Sequence, residues 1–437
     1  MKWHIVCRIE EEDSFLPELK TATDRCLILH FSGGATNRRV RESVIATIEK
    51  RYEVRLAAPV QDFVYASMGA YLADLCIPRA TAEDRWSRTF VLHIPVYEQR
   101  RWRHAGKTLE ATLGFLTGDA WEVSPRARSG EAPTSTSATG PKRPTKACLL
   151  SGGLDSLVGA IDLLSGGDGV AFVSHHGGGM TPKFQNETFD GLRRRFDGQC
   201  HKHQFFVVPP QLDGDGEDTM RSRSAMFLAL GVAVAAALGD DVPLVVPENG
   251  LISLNVPLTG TRVGSSSTRT THPYLISGVR EVLSQLRIPN AIVLPYRHAT
   301  KGEMLRNAVD VDALKALLAL TMSCSHPEVS RWEGATPGTH CGYCFPCLIR
   351  RAAVTAAGFD DHDAKYTHDV RNAAPGGKKG SDLRAIRMAL QRDRGSTAPT
   401  IFRVLKAGPL PQEELAAFAD AYARGMRELD AFLFGGE

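Results

Sequence analysis

The segment Lys146-Ala-Cys-Leu-Leu-Ser-Gly-Gly-Leu-Asp-Ser156 places a short apolar run directly before a glycine-rich turn. The apolar run predicts a buried strand, and the residues from Ser156 onward predict a helix. Gly152 and Gly153 let the backbone approach an anion closely, and the helix start offers N–H groups and a positive dipole end. The segment therefore predicts a phosphate-binding loop at the end of a strand. It is not a Walker A loop, because the GxxxxGK[ST] spacing is missing.

The side chains of this loop suit a nucleotide bound with a metal ion. The backbone amides of residues 151–153 and the hydroxyls of Ser151 and Ser156 would hold the phosphates. Asp155, expected to be an exposed loop carboxylate, would help to hold Mg²⁺, since this cation prefers carboxylate and phosphate oxygens. An ordinary strand-to-helix connection is the alternative for the Ser-Gly-Gly run alone.

Downstream of this segment, short apolar stretches alternate with amphipathic ones. This alternation predicts an α/β fold, a Rossmann-like doubly wound parallel sheet with ligands beyond the carboxyl ends of its strands. The predicted strands are near residues 147–150, 170–174, 204–208, 243–247 and 291–295, and the predicted helices near 156–164, 183–196, 221–238 and 273–286.

A chain of 437 residues is expected to form two or three domains. Residues 1–122 are predicted to be a small α+β domain that docks a partner, with strands near 3–9, 26–31 and 90–96 and helices near 41–53 and 60–74. Residues 123–145, rich in Pro, Gly, Ser and Thr, are predicted to be a linker. Residues 146–356 would form the nucleotide domain, and 357–437 a helical C-terminal extension.

Composition narrows the classes of function. The formal net charge of +3 is far from the dense basic stripe of a dedicated nucleic-acid binder, so nucleic acid is an unlikely partner. No apolar run reaches the roughly 18 residues of a membrane span, and the first residues lack the order of a signal peptide. We therefore expect no membrane association and a cytoplasmic location.

Four of the nine cysteines predict a metal site. Cys341, Cys344 and Cys347 follow the spacing C-x2-C-x2-C, and Cys324 lies 17 positions before the first of them. Four thiolates suit tetrahedral Zn²⁺, and a closed set of four leaves no place for water, so the metal would be structural. A [4Fe-4S] cluster is the rival reading. His326 or His340 in place of Cys324 is a further alternative.

An SGGxDS loop after a buried strand resembles the PP-loop of the N-type ATP pyrophosphatases, which activate an oxygen as an adenylate and release pyrophosphate. With the Arg-x-x-x-Phe-Leu helix start at Arg223 and the cysteine cluster, residues 146–355 resemble 7-cyano-7-deazaguanine synthase, QueC. The resemblance implies that the loop binds ATP, that the four cysteines bind zinc, and that 7-carboxy-7-deazaguanine is adenylated. The residues it implies as catalytic are Asp155, Ser156, Arg223 and Lys301, and those for ATP are Ser151, Gly152, Gly153, Asp155 and Ser156.

The chain departs from QueC in its N-terminal region, linker and tail. This extended layout looks like the QueC-like proteins of bacterial anti-phage systems, in particular the QatC group. The resemblance implies a defence role, in which the deazaguanine is joined to the amino terminus of a QatB-like partner encoded nearby. Glu248 and Asn249 would read the guanine-like edge of the substrate, with a turn and a helix cap as the alternative.

Three other functions stay open at this point. Attack by ammonia in place of a protein amine would lead to 7-cyano-7-deazaguanine. The same loop also occurs in tRNA-modifying and sulfur-transfer enzymes, although the near-neutral charge disfavours RNA. A non-catalytic ATP-binding defence subunit is disfavoured by the intact Asp155. The expected class is an ATP-dependent ligase that forms a carbon–nitrogen bond.

Overall fold

The computed structural model describes residues 1–33, 39–136, 143–211, 214–259, 269–328, 334–361, 365–371, 376–377, 379–394 and 399–435. The chain divides into two compact units. The first unit comprises Met1–Ala147, His203–Leu244 and Thr268–Val293, and the second comprises Cys148–Lys202, Val245–Ser267 and Leu294–Glu437. Two segments that follow the glycine-rich loop in sequence therefore group with the N-terminal region.

The N-terminal region is built on a four-stranded parallel sheet in the order β2-β1-β4-β5. Buried residues such as Ile5 and Leu92 form its core. The elements are β1 (Trp3–Arg8), β2 (Arg25–His30), β3 (Arg41–Glu42), α1 (Ile45–Tyr52), α2 (Ala58–Cys76), β4 (Thr89–Val96), α3 (Gln99–Thr117) and β5 (Ala120–Ala127).

This architecture corrects the predicted α+β class for residues 1–122. The helices α2 and α3 lie in the connections between parallel strands, as crossovers between parallel strands require, so the region is α/β. The strands near 3–9, 26–31 and 90–96 and the helix near 60–74 are confirmed. The predicted helix at 41–53 is wrong at its start, where Arg41–Glu42 pair with Val207–Val208 as an antiparallel ladder.

The predicted start of the linker at residue 123 is also wrong. Residues 123–127 belong to β5, which pairs with β4 along its whole length. Trp121 and Val123 are buried while Ala120 and Glu122 are exposed, which is the period-two pattern of an edge strand. Pro125 is compatible with this position because an edge strand leaves one side of its backbone unpaired. Residues 137–142 of the predicted linker lie outside the described residues.

The second sheet has five parallel strands in the order β11-β10-β6-β7-β8. Three of these strands have residues in both units. Counted along the chain from β6, the order is 3-2-1-4-5, which is that of a Rossmann-like sheet. The elements are β6 (Lys146–Leu149), α4 (Leu154–Ser165), β7 (Val170–His175), α5 (Thr181–Arg195), β8 (Cys200–Phe205), β9 (Val207–Val208), α6 (Arg223–Leu238), β10 (Leu244–Val245), α7 (Gly250–Leu254), α8 (Pro273–Gln285) and β11 (Ile292–Val293).

The predicted α/β class with a parallel sheet is thus confirmed. In a sheet of this order the connections leave β6 and β10 in opposite directions, which opens a crevice beyond their carboxyl ends. The glycine-rich loop follows β6, and residues 248 and 249 follow β10. Both predicted ligand-binding stretches therefore lie at the topological switch point of the sheet.

The rest of the chain is helical in its regular elements. Helix α11 (Phe345–Ala356) packs against α14 (Leu415–Phe434), and the cysteine group belongs to the same hydrophobic core as these helices. No helix in the described part of the chain combines the length and the apolar character needed to cross a lipid bilayer. The elements are α9 (Lys301–Arg306), α10 (Val311–Leu317), α11 (Phe345–Ala356), α12 (Ser381–Arg394), α13 (Thr400–Val404) and α14 (Leu415–Phe434).

Candidate functional site

The loop between β6 and α4 folds tightly around its own hydroxyl groups. The Ser151 hydroxyl accepts a hydrogen bond from the Gly153 N–H at 3.3 Å and lies 3.3 Å from the Ser156 hydroxyl. The Ser156 hydroxyl donates to the Gly153 carbonyl at 2.8 Å. No side chain of the described residues caps the start of α4. The first turn of this helix therefore directs uncapped N–H groups at the loop, as an anion site requires.

Gly152 fixes the path of the loop. Its φ of 81° lies in the left-handed region. A Cβ atom at this position would lie 2.9 Å from the backbone nitrogen of Gln185 and 3.1 Å from the carbonyl carbon of Phe184. On the other side, the Gly152 carbonyl accepts a hydrogen bond from the Met322 N–H at 2.8 Å. The loop is thus clamped between α5 and the chain that follows residue 320.

Replacing Gly152 by alanine is expected to lower the free energy of unfolding by about 2 to 3 kcal/mol, from left-handed strain plus the contact with α5. Gly167→Ala is the matched control, because Gly167 has a φ of 86° but nothing within 4 Å of an added Cβ. The control should lose only about 1 kcal/mol. Thermal unfolding of both variants measures the difference, and equal losses would show that the clamp on the loop contributes nothing.

Asp155, in the first turn of α4, contacts Asn249 and Lys301, which belong to the other two segments of the second unit. Its Oδ2 accepts hydrogen bonds from the backbone and side-chain nitrogens of Asn249, at 3.2 and 2.6 Å. Its Oδ1 lies 2.9 Å from the Nζ of Lys301. The side chains of Asp155 and Lys301 are only 12% and 6% exposed. The expectation of an exposed loop carboxylate is therefore wrong, because an ion pair and an amide enclose it.

Lys301 is held in place by the helix start to which it belongs. Thr300 and Glu303 form a capping box, in which the Glu303 N–H donates to the Thr300 hydroxyl and the Thr300 N–H donates to the Glu303 carboxylate. Glu303 also accepts from Arg424 at 2.6 Å. Although burial raises the pKa of Glu303, these donors lower it overall. The Thr-x-x-Glu spacing is a sequence signal for this cap that our sequence analysis missed.

Asn249 is fully buried and uses both ends of its amide within the protein. Its Oδ1 accepts from the Ile252 N–H at 3.0 Å as the cap of α7, and its Nδ2 donates to Asp155. The helix cap, which the sequence left as the alternative, is thus present. Glu248 is partly exposed and its backbone N–H donates to the Val246 carbonyl at 3.1 Å. Base reading by either residue stays a prediction.

Arg223 lies in the first unit, at the first residue of α6. Burial lowers the pKa of its guanidinium group, and the neighbouring Tyr71 hydroxyl opposes that shift. A desolvated guanidinium attracts anions strongly, because the surrounding dielectric is low. The structure therefore brings Asp155, Lys301 and Asn249 together with the loop, whereas Arg223 lies in the other unit.

The four predicted metal ligands form one buried group. The sulfur atoms of Cys324, Cys341, Cys344 and Cys347 all lie within 4.8 Å of one another. The pairs Cys341–Cys347 and Cys324–Cys344 are each 3.9 Å apart. A tetrahedral ion with sulfur ligands at about 2.3 Å spaces them by about 3.8 Å, so the group fits one ion such as zinc. The prediction of Cys324 as the fourth member is confirmed.

The surrounding backbone supports the sulfur atoms. The N–H groups of His326 and Cys341 donate to the Cys324 sulfur at 3.3 and 3.4 Å. The three neighbouring thiols hold the pKa of Cys324 well below its ordinary value. Gly342 adopts a φ of 81°, and a Cβ there would lie 2.2 Å from the His368 carbonyl oxygen. The turn between Cys341 and Cys344 therefore requires glycine at this position. The His340 ring nitrogen lies outside the group, 3.9 Å from Cys347.

Comparison of the chain with family models, with curated proteins and with solved structures gave no match.

Proposed function

We propose that this chain is an adenylating enzyme of the PP-loop ATP pyrophosphatase type, QueC-like, with 7-carboxy-7-deazaguanine as substrate. The observation that carries the proposal is the loop of residues 151–156 at the switch point of the parallel sheet, with Asp155 and Lys301 paired at 2.9 Å beside it. Ligands of open α/β sheets bind at such switch points. The uncapped start of α4 suits phosphate oxygens.

The chemistry requires activation because a carboxylate is a poor electrophile. One carboxylate oxygen attacks the α-phosphorus of ATP, the bond between the α- and β-phosphates breaks, and pyrophosphate leaves. An amine then attacks the acyl carbon, AMP departs with the carboxyl oxygen, and the nitrogen loses a proton. Lys301 would offset charge that develops on the phosphates, and the resemblance to QueC implies the same role for Arg223.

Asp155 is the residue that would hold Mg²⁺, which supplies charge neutralisation at the phosphates when bound. Its ion pair with Lys301 and its hydrogen bond from Asn249 orient the carboxylate within the first turn of α4. The hydroxyls of Ser151 and Ser156, which lie 3.3 Å apart in the loop, would donate to phosphate oxygens. We assign Glu248 to the substrate side because it follows β10 and is partly exposed.

The amine is proposed to be the amino terminus of a partner protein, comparable to the QatB component of an anti-phage system. This part of the proposal depends on the extended layout of the chain. In the same proposal the four cysteines hold one structural Zn²⁺, which fastens the segment at Cys324 to the start of α11. A closed set of four thiolates leaves the ion no role in the chemistry.

Incubation with ATP, Mg²⁺ and 7-carboxy-7-deazaguanine is expected to release pyrophosphate and AMP. The matched control is the same base without its 7-carboxyl group, which cannot form an acyl adenylate. The activity is the substrate-dependent release of pyrophosphate, which a coupled phosphate assay measures. A chain that forms no AMP with the carboxylated base would contradict the proposed substrate. A mass increase on a protein encoded nearby would select conjugation over the ammonia-dependent nitrile.

A further inference from the structure

The carboxylate of Asp74, on α2 of the N-terminal region, organises the chain that leads into α6. Its Oδ2 accepts hydrogen bonds from the Ser222 hydroxyl at 2.6 Å, the Ser222 N–H at 3.2 Å and the Thr219 hydroxyl at 3.1 Å. Asp74 is fully buried. Ser222 directly precedes Arg223, the first residue of α6. One carboxylate on α2 thus fixes the last residues before that arginine.

Main-chain bonds extend this attachment toward the start of the segment. The Glu217 N–H donates to the Leu75 carbonyl at 2.7 Å. The Glu217 carboxylate in turn accepts from the Arg79 N–H at 2.7 Å. Residues 217–222 are therefore tied at both ends to the C-terminal part of α2 and the residues that follow it.

The charge of Asp74 is balanced inside the same unit. Arg88, whose side chain is fully buried, donates to both Asp74 and Asp119. Arg79 donates to Asp119 through both terminal nitrogens, at 3.0 and 3.1 Å. Two arginines and two aspartates thus form a compensated network. A buried network whose members are all bonded is rigid, so Asp74 is a fixed point and not a mobile acceptor.

The same face of α2 also approaches Arg223. Tyr71 and Asp74 are three residues apart on the helix and so lie on one side of it. Tyr71 interacts electrostatically with both Asp74 and Arg223. Helix α6 also packs against α2. Helix α2 therefore contacts residues 217–222 and α6 through the Asp74 side chain, the Leu75 carbonyl and a helix face.

We infer that Asp74 is the positioning residue for Arg223, so that the N-terminal α/β region supports the start of α6. This role of the region lies within its own unit and is separate from the proposed docking of a partner. The ordering of residues 217–223 depends only on the hydrogen bonds described above, whereas its effect on nucleotide binding rests on the function proposed for Arg223.

Hydrogen exchange of the full-length protein tests the ordering directly. The variant Ser222→Ala combined with Thr219→Val removes two hydroxyl bonds to Asp74 and leaves the charged network intact. Amide exchange in peptides that cover residues 217–226 should accelerate by about tenfold or more, since a lost buried hydrogen bond is worth about 1 kcal/mol or more. The control Thr112→Val removes a buried hydroxyl of α3 and should leave this segment unchanged. Equal exchange in both variants would overturn the inference.

A double-mutant cycle with Arg223→Ala tests whether the ordering acts through the arginine. The Ser222→Ala/Thr219→Val variant and Arg223→Ala should each weaken ATP binding, measured by calorimetry. The variant that combines all three changes should bind ATP no worse than Arg223→Ala alone. Losses that add would overturn the assignment of Asp74 as a positioning residue for Arg223. Normal ATP binding by Ser222→Thr, which keeps the hydroxyl, would support this assignment of Asp74. If the unmodified chain binds no ATP, the proposed function fails, and the exchange experiment alone decides the ordering.

Discussion

Replacing Asp155 by asparagine is expected to lower substrate-dependent pyrophosphate release by roughly 10²- to 10³-fold, the size of effect seen when one charge-stabilising group is lost from an active site. The substitution removes the carboxylate that would hold Mg²⁺. It also leaves the ammonium of Lys301, 6% exposed, without its counter-charge. Initial rates at saturating ATP, normalised to the folded fraction of each sample, measure the effect.

The variant is also expected to lose about 3 kcal/mol of stability, because breaking a nearly buried ion pair strands the remaining charge. Asp361→Asn is a matched control. The Asp361 side chain is likewise 12% exposed and pairs with a buried arginine, Arg350, at 3.0 Å in the same unit. The control should lose comparable stability and keep its rate of pyrophosphate release. A control that loses activity equally would show that Asp155 acts only through stability.

Adding Lys301→Met to Asp155→Asn separates the two effects further. Without either charge, the buried pair is replaced by neutral groups, and much of the lost stability should return. Pyrophosphate release should stay low, because both proposed phosphate-side groups are gone. Recovery of turnover in this double variant would remove Asp155 and Lys301 from the proposed site.

Replacing Cys347 by alanine is expected to abolish metal binding and to destabilise the second unit. The wild-type protein should carry about one zinc per chain and be colourless, since four thiolates bind a single d¹⁰ ion. The variant should contain little zinc and unfold at least about 10 °C lower, because the binding energy of a structural metal is also folding energy. Elemental analysis and thermal unfolding, with and without a chelator, measure both effects.

Cys148→Ala is the control for the lost side-chain volume. Cys148 and Cys347 are both fully buried, but only Cys347 belongs to the metal group. The control should keep its zinc and lose only the packing of one sulfur atom. Wild-type protein with the broad visible absorption of an iron–sulfur cluster would contradict the zinc assignment. Full metal content in Cys347→Ala would contradict the fourfold ligand set.

The parts of the fold that the sequence predicted share one property: each shows its pattern within a few residues. The strands and helices after Lys146 alternate clearly, and the order of the sheet agrees with the predicted class. Helix α3 was missed although Trp102, Leu109 and Leu113 lie on one face, because charged residues open this stretch. The strand β5 (Ala120–Ala127) was missed because residues from 123 onward were assigned to the linker, whose content of Pro, Gly, Ser and Thr begins within the strand.

In the candidate site, too, the features with a local pattern were predicted and the long-range contacts were not. The glycine-rich loop and the thiol spacing are local, so the sequence predicted both groups and their members, including Cys324. The burial of Asp155 was not predictable, since its partners Asn249 and Lys301 come from elements that only the fold brings to it. The capping box at Thr300 was predictable from its spacing. The ion pair that it supports was not predictable, because only the fold brings Lys301 to Asp155.

By itself, the sequence determined a strand, a tight glycine turn and a helix at residues 146–165, and four thiols with metal-ligand spacing. These are short-range properties, set by φ/ψ preferences, the helix dipole and ligand chemistry. Only the tertiary structure decided that Asp155 is enclosed by an amide and an ammonium, and that Asp74 in the N-terminal region holds the segment before Arg223. These contacts join residues about a hundred or more positions apart, and packing of the whole core selects them.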